Sequence, residues 1–306
     1  MDPPVAAAHL IVSSRCAHGE GVLWCERRQA LFWVDIDGAR LWMHSPADGA
    51  TRNWSLPDRP GCIALATSGE LLLVLAKAMF RADLDAALGA EATTLALSHL
   101  ADVEPNEPRT RSNDGRADRH GNFVFGTMDE SPEKSPIGNF YQYSAAHGLR
   151  RLPLPGAAIP NSICFSPDGR TLYFCDSMQD VIQRCDYEPD AAWTGMPHPF
   201  ARVDPAGGAA DGSALDAGGG LWNARWGGAR VVRHAPDGNI DRVFPVPVPQ
   251  PSCCTIGGAG LDTLYVITSP QGLDDAAREA FPESGSLYAI PLGRACGLPE
   301  SRVALP

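Results

Sequence analysis

GEGVLWCERRQALFWVDIDGARLWMHSPADGATRNWSL, residues 19–56, decides the fold. Turn-prone breaks at ERRQ, DGA and PADGA divide it into four short apolar segments, GEGVLWC, ALFWVDI, RLWMHS and TRNWSL, as consecutive hairpins would require. The second segment type returns along the chain as LFWVDI from Leu31, LLLVLA from Leu71, NFVFGT from Asn122, LYFCDS from Leu172, LWNARW from Leu221 and LYVITS from Leu264. The intervals are 40, 51, 50, 49 and 43 residues. Segments of the third type, such as KAMFRADL, GNFYQYS and ARVVRHAP, follow shortly after, so whole four-strand units repeat. That period belongs to a propeller blade, not to a helical solenoid. The sequence therefore predicts an all-β chain: one six-bladed β-propeller domain, residues 1–306, with four-stranded antiparallel blades around a central channel. A strand at residues 9–13 is expected to complete the blade containing residues 286–290, because joining both ends of the chain in one sheet removes a free edge.

The net charge of −11 and pI near 5.1 repel nucleic-acid phosphate and anionic lipid, so neither is expected as a partner. The longest apolar run, residues 71–80, is interrupted by Lys77 and falls short of the roughly 20 residues a membrane helix requires. The N-terminal MDPPVAAAHLIVSS carries an acid and two prolines where a secretory leader carries basic charge, which predicts cytoplasmic residence. Nine cysteines without CxxC spacing read as buried free thiols. A propeller closes on itself, so a monomer or weak homo-oligomer is expected. Three longer connections, residues 98–112, 187–210 and 270–285, are candidates for covering a substrate. The last contains DDAAREAF, which has helical composition.

A propeller gathers one inner-strand position from every blade at the channel mouth. Counting back from the repeated strand, Glu20 precedes Leu31 by 11 positions, Asn113 precedes Asn122 by 9, Asn161 precedes Leu172 by 11 and Asp211 precedes Leu221 by 10. The same phase falls near Gly61 and Cys254 in the other two blades. Convergent carboxylate and amide oxygens suit a hard divalent cation, and with no histidine in the set a closed structural zinc site is disfavoured. Ca, Mg, Mn, Fe(II) or an open Zn site remain. The competing expectation is that Asn113-Asp114-Gly115 and Asp211-Gly212 are turn formers, which the shared phase outweighs. Asp35 and Asp176, at the ends of repeated strands, read as turn or blade-linking carboxylates, and His18 is the histidine placed to line the pocket.

GEGVLW, VDI, RSNDGRAD with GTM downstream, PNSICFSPDGRTLYFCDS, ADGSALDAGGGLWNARWGGARVVRH and SCCTIGGAGLDTLYV, spread from Gly19 to Val266, together resemble the senescence marker protein 30, gluconolactonase and luciferin-regenerating enzyme family, which includes regucalcin. The resemblance implies a six-bladed propeller with one divalent cation in the channel and hydrolysis of a sugar (aldono-)lactone. It implies Glu20, Asn161 and Asp211 as metal ligands, Asp211 also as the catalytic proton acceptor and donor, and Arg111 and Asn113 as substrate contacts. The family's acidic substrate contact after GTM falls in a shortened DESPEKSPIGN, where Asp129, Glu130 and Glu133 compete and Glu130 is taken forward. Where the family commonly has Val-Ala after the LW of the fifth blade, this chain has Asn223 and Ala224, read as a packing change. The alternatives are a regucalcin-like calcium-binding or regulatory propeller without turnover, and a hydrolase of other esters.

Overall fold

The computed structural model describes residues 6–90 and 92–306, so MDPPV, the start of the segment read as unlike a leader, lies outside the described residues. Six antiparallel sheets follow one another around a central channel. Their innermost strands are Gly19–Cys25, Pro60–Ala66, Thr110–Ala117, Pro160–Phe165, Ala209–Leu215 and Pro251–Gly257, which number blades 1 to 6 in chain order.

The second strand of a blade is covered by a neighbouring blade on each side. Ala30–Asp35, Leu71–Leu75 and Phe123–Asp129 are accordingly buried at every residue, and this is why they read as continuous apolar runs where an open sheet would alternate. The core is a ring of wedges between adjacent blades. Phe32 and Val34 meet Ile63 and Leu73 between blades 1 and 2, and Trp24 and Trp33 meet Tyr265 and Ile267 between blades 6 and 1. Truncating a fully buried aromatic such as Phe32 to Ala is expected to cost about 3–5 kcal/mol.

The ring closes as the sequence predicts. His9–Val12 is the outer strand of blade 6, antiparallel to Leu287–Pro291 with His9 opposite Ala289. Asp35 and Asp176 link segments as expected: Asp35 accepts from the Ala17, His18 and Gly38 amides, and Asp176 from those of Ala158 and Ile159.

Two expected loops hold more structure than their composition suggests. Leu97–Asp102, in the first of them, is the outer strand of blade 2, while Trp193–Thr194 and His198–Arg202 both pair with Val181–Glu188 in blade 4. The helix expected in the third is Asp275–Ala280, with the Asp274 side chain accepting from the Ala277 amide at its start. A second short helix, Leu84–Gly89, is capped by Asp83, and at six residues it is too short to show a helical period. At the far end of the channel Arg302–Val303 runs parallel to the end of the blade 2 inner strand, opposite Leu65 and Ala66.

Every inner strand slips by one residue near its start, where a bulge intrudes. The slips fall between Glu20 and Leu23, Pro60 and Cys62, Ser112 and Gly115, Asn161 and Cys164, Ala210 and Ser213, and Pro251 and Cys253. A bulge releases its residues from the ladder and re-aims their side chains. In blade 6 the residue so released is Ser252. The phase counted from sequence pointed to Cys254 instead, which the register places deeper in the strand opposite Val266.

Candidate active site

The bulges put the polar residues of four blades at one end of the channel. Glu20, Arg111, Asn113, Glu130, Asn161 and Asp211 all line a single cavity of about 480 Å³. They come from blades 1, 3, 4 and 5, so only ring closure brings the four sets together.

A hydrogen-bond relay orients the amides. Arg111 Nη1 donates to Asn113 Oδ1 at 2.9 Å, and Asn113 Nδ2 donates to Pro160 O at 3.0 Å and to Asn161 Oδ1 at 3.2 Å. Asn161 Nδ2 in turn donates to Ser177 Oγ at 2.8 Å, and that hydroxyl donates to Ala210 O at 2.6 Å. Because the Ala210 carbonyl can only accept, the relay fixes the Asn161 amide with its nitrogen towards Ser177 and its oxygen towards Asn113.

The two carboxylates lack such partners. Asp211 is buried and its Oδ1 has no hydrogen-bond partner, while Glu20 Oε2 accepts from the Gly21 amide at 3.0 Å. Burial pushes both carboxyl groups well above the usual carboxylate range, the Asp114 charge adds to both, and Glu20 further raises Asp211. Among the described residues the only basic side chain within 4.0 Å of Glu20 is His18, whose own pKa is lowered by burial, and Asp211 has none. A third acid, Asp114, accepts from the Ile163 amide at 2.8 Å, and burial raises it to about 6. Sequence reasoning had taken Asp114 only as part of a turn.

The rim is a second tier, in which sequence reasoning named His18, Arg111 and Glu130 but missed Arg59, although a signal for it existed. Strand side chains repeat every two residues, so positions two ahead of the ring share its face. Those positions include His18, Arg59 and Arg111, all of which line the cavity. Arg59 clasps Glu130 through two bonds of 2.6 and 2.9 Å, and Arg111 Nε lies 3.6 Å from the same carboxylate. On the same rim His18 Nδ1 lies 3.7 Å from Asp37, which also accepts from Gln271 at 2.8 Å. The His18 contact holds Asp37 down at about 2. Asp37 and Gln271 come from connections between strands, where periodicity carries no signal. Glu133 does not line the cavity, and Asp129 is tied to its own turn through Ser131 and Ser135.

The residues present fit a divalent cation. The Glu20 and Asp211 carboxylates with the Asn161 amide oxygen, which line one cavity, would make an all-oxygen set suited to a hard ion. The unpartnered Asp211 Oδ1 is the atom such an ion would satisfy.

A family model described as "SMP-30/Gluconolactonase/LRE-like region" matches residues 18–270. The L-arabinolactonase of Azospirillum brasilense is 44% identical over 304 residues, covering 98% of this chain and 97% of that one. The 6-deoxy-6-sulfogluconolactonase of Pseudomonas putida is 31% identical, covering 89% and 90%. Among solved structures, a calcium-binding protein, regucalcin, of Agrobacterium tumefaciens is 29% identical with a TM-score of 0.85, covering 96% of this chain and 97% of that one.

Proposed function

The chain belongs to the SMP-30/gluconolactonase/LRE-like family, and on that premise we propose that it hydrolyses a sugar lactone to the aldonic acid with the help of one divalent cation held by Glu20, Asn161 and Asp211. The observation that carries this reading is the meeting of two buried, cation-free carboxylates with an oriented amide in one cavity. The full-length similarity to an arabinolactonase makes an arabinonolactone the first substrate to try.

When bound, the cation supplies Lewis-acid polarisation of the lactone carbonyl. Asp211 accepts a proton from the attacking water as its oxygen bonds to the carbonyl carbon. The bond from that carbon to the ring oxygen then breaks, and Asp211 returns the proton to the departing oxygen, so the ring opens to a hydroxy acid. A carboxylate has two oxygens, so one can hold the ion while the other takes the proton, and burial suits this exchange. Arg111 commits Nη1 to Ser112 O and Asn113 Oδ1, which leaves Nε and Nη2 as donors for substrate hydroxyls. Asn113 spends its donors on Pro160 and Asn161, so its main work is to hold Arg111 and Asn161 in place while lining the substrate cavity. Glu130 offers an acceptor at the rim, already anchored by Arg59.

The test is acid release from arabinono-, xylono-, galactono- and glucono-lactones by protein stripped with chelator and resupplied with Ca, Mg, Mn, Zn or Fe(II) singly. Opening above the spontaneous rate with at least one cation supports the proposal. Spontaneous rates throughout would favour a calcium-binding propeller without turnover, the second reading, which the regucalcin similarity motivates.

A further inference from the structure

We propose that Asn223 is a positioning residue for the site: its side-chain amide grips the Asp211 carbonyl that the bulge sets free and, through Ser162 and Ser213, ties it to the strand that carries Asn161. The inference rests on the ligand set above and deepens it.

The blade 5 ladder pairs Ala210 with Arg225 and then Ser213 with Asn223, so residues 211 and 212 fall outside it. A buried carbonyl left without a strand N–H needs another donor. Asn223, fully buried on the second strand, supplies it: Nδ2 donates to Asp211 O at 2.7 Å. The same nitrogen lies 3.0 Å from both Ser162 Oγ and Ser213 Oγ, the two hydroxyls are 2.6 Å apart, and Ser162 Oγ also reaches Asp211 O at 3.1 Å. Because a carbonyl only accepts, the amide nitrogen must face Asp211. Asn223 Oδ1 is then left buried without a partner. A packing residue would not carry that penalty, so the donor is the part that matters.

Ser162 gives the brace its reach. It follows Asn161 directly and has φ +62°, a left-handed conformation that is strained for any residue but glycine. Its hydroxyl joins the blade 5 network, so the bulge that follows Asn161 and the bulge that holds Asp211 share one set of hydrogen bonds. At other junctions a lone serine does the bridging: Ser112 Oγ to Leu75 O at 2.9 Å and Ser252 Oγ to Gly19 O at 2.6 Å. The sequence reading of Asn223 as a packing change is thereby corrected. A valine at this position has the bulk but no donor.

The test compares full-length wild type, Asn223→Leu and Ser213→Ala, each stripped with chelator. Mn²⁺ affinity is measured by calorimetry, folding by circular dichroism, and the position of Asp211 by crystallography of the stripped proteins. Asn223→Leu is expected to bind Mn²⁺ about 10–100-fold more weakly, as loss of support behind a ligand does, with the Asp211 carboxylate displaced. Ser213→Ala should weaken binding less. Wild-type affinity with an unmoved Asp211 in Asn223→Leu overturns the proposal. If that variant does not fold, the same result in Ser213→Ala overturns it. A wild type that takes up no Mn²⁺ or other divalent ion counts against the metal reading alone, and the brace is then judged by whether Asp211 has moved.

Discussion

The two ends of the channel treat buried charge in opposite ways. At the end where the inner strands finish, Arg116 points at Glu300 of the C-terminal tail with contacts of 2.5 and 3.0 Å and also donates to Ser213 O at 3.1 Å. Burial pulls the Arg116 pKa down, and Glu300 more than reverses this. The tail is fastened on several blades: Arg119 reaches Pro299 O, the Ala217 amide donates to Cys296 O, and Arg302–Val303 extends the blade 2 sheet. At the end where the inner strands begin, Glu20 and Asp211 are as deeply set, yet among the described residues no Lys or Arg pairs with either, and the Arg111 charge lowers Glu20 without undoing the effect of burial. Paired charge marks the end that seals the ring. Unpaired charge marks the end proposed to hold the cation, at a cost in stability that such a ligand would offset.

The largest effect expected from this contrast is on turnover. Asp211→Asn should lower lactone hydrolysis by about 10²–10⁴-fold, the contribution typical of a general acid–base. Near-normal hydrolysis by that variant would remove Asp211 from the mechanism. The same substitution deletes an uncompensated buried charge, so stripped Asp211→Asn should melt higher than stripped wild type at pH 8.

Next comes Glu300→Gln, which leaves the buried Arg116 guanidinium without its counter-charge. A loss of about 3–5 kcal/mol in denaturant unfolding is expected, with Mn²⁺ affinity unchanged. A variant of wild-type stability would mean that the tail is not held by this pair.

The pH dependence follows in size. A carboxyl whose folded pKa is raised costs nothing below its unfolded value and destabilises increasingly as pH climbs from there to the folded value. Stripped protein should therefore lose stability as pH rises from about 4, the ordinary carboxylate value, through neutrality. Protein saturated with cation should not. Parallel stability profiles for the two forms would show that Glu20 and Asp211 are not the groups the ion neutralises.

The smallest effect belongs to the rim. Arg59 and Glu130 are about a third exposed, and surface pairs contribute at most about 1 kcal/mol. Arg59→Ala should leave the melting temperature within a degree or two and act mainly on KM. A large fall in kcat instead would move Arg59 into the chemistry.

How much of this was legible in the sequence follows the same division. The blades were readable because second strands, buried on both faces, are mostly apolar, and that pattern recurs six times. Glu20, Asn113, Asn161 and Asp211 were readable because a repeating fold places equivalent positions together. The sixth position was read near Cys254 by counting alone, and the register, which leaves Ser252 out of the ladder and sets Cys254 opposite Val266, corrects it. Asp37 and Gln271 were invisible because they sit on connections outside the strand period. The role of Asn223 was hidden for another reason: a side chain that repairs a broken ladder is recognised only once the break is known.

The most direct measurement is a crystal structure of the protein soaked with Mn²⁺, with the ion located by its anomalous signal. One ion within roughly 2.0–2.6 Å of side-chain oxygens from Glu20, Asn161 and Asp211 together is the predicted result. An ion bound elsewhere, or a cavity in which those three oxygens share no ion at saturating Mn²⁺, would contradict it.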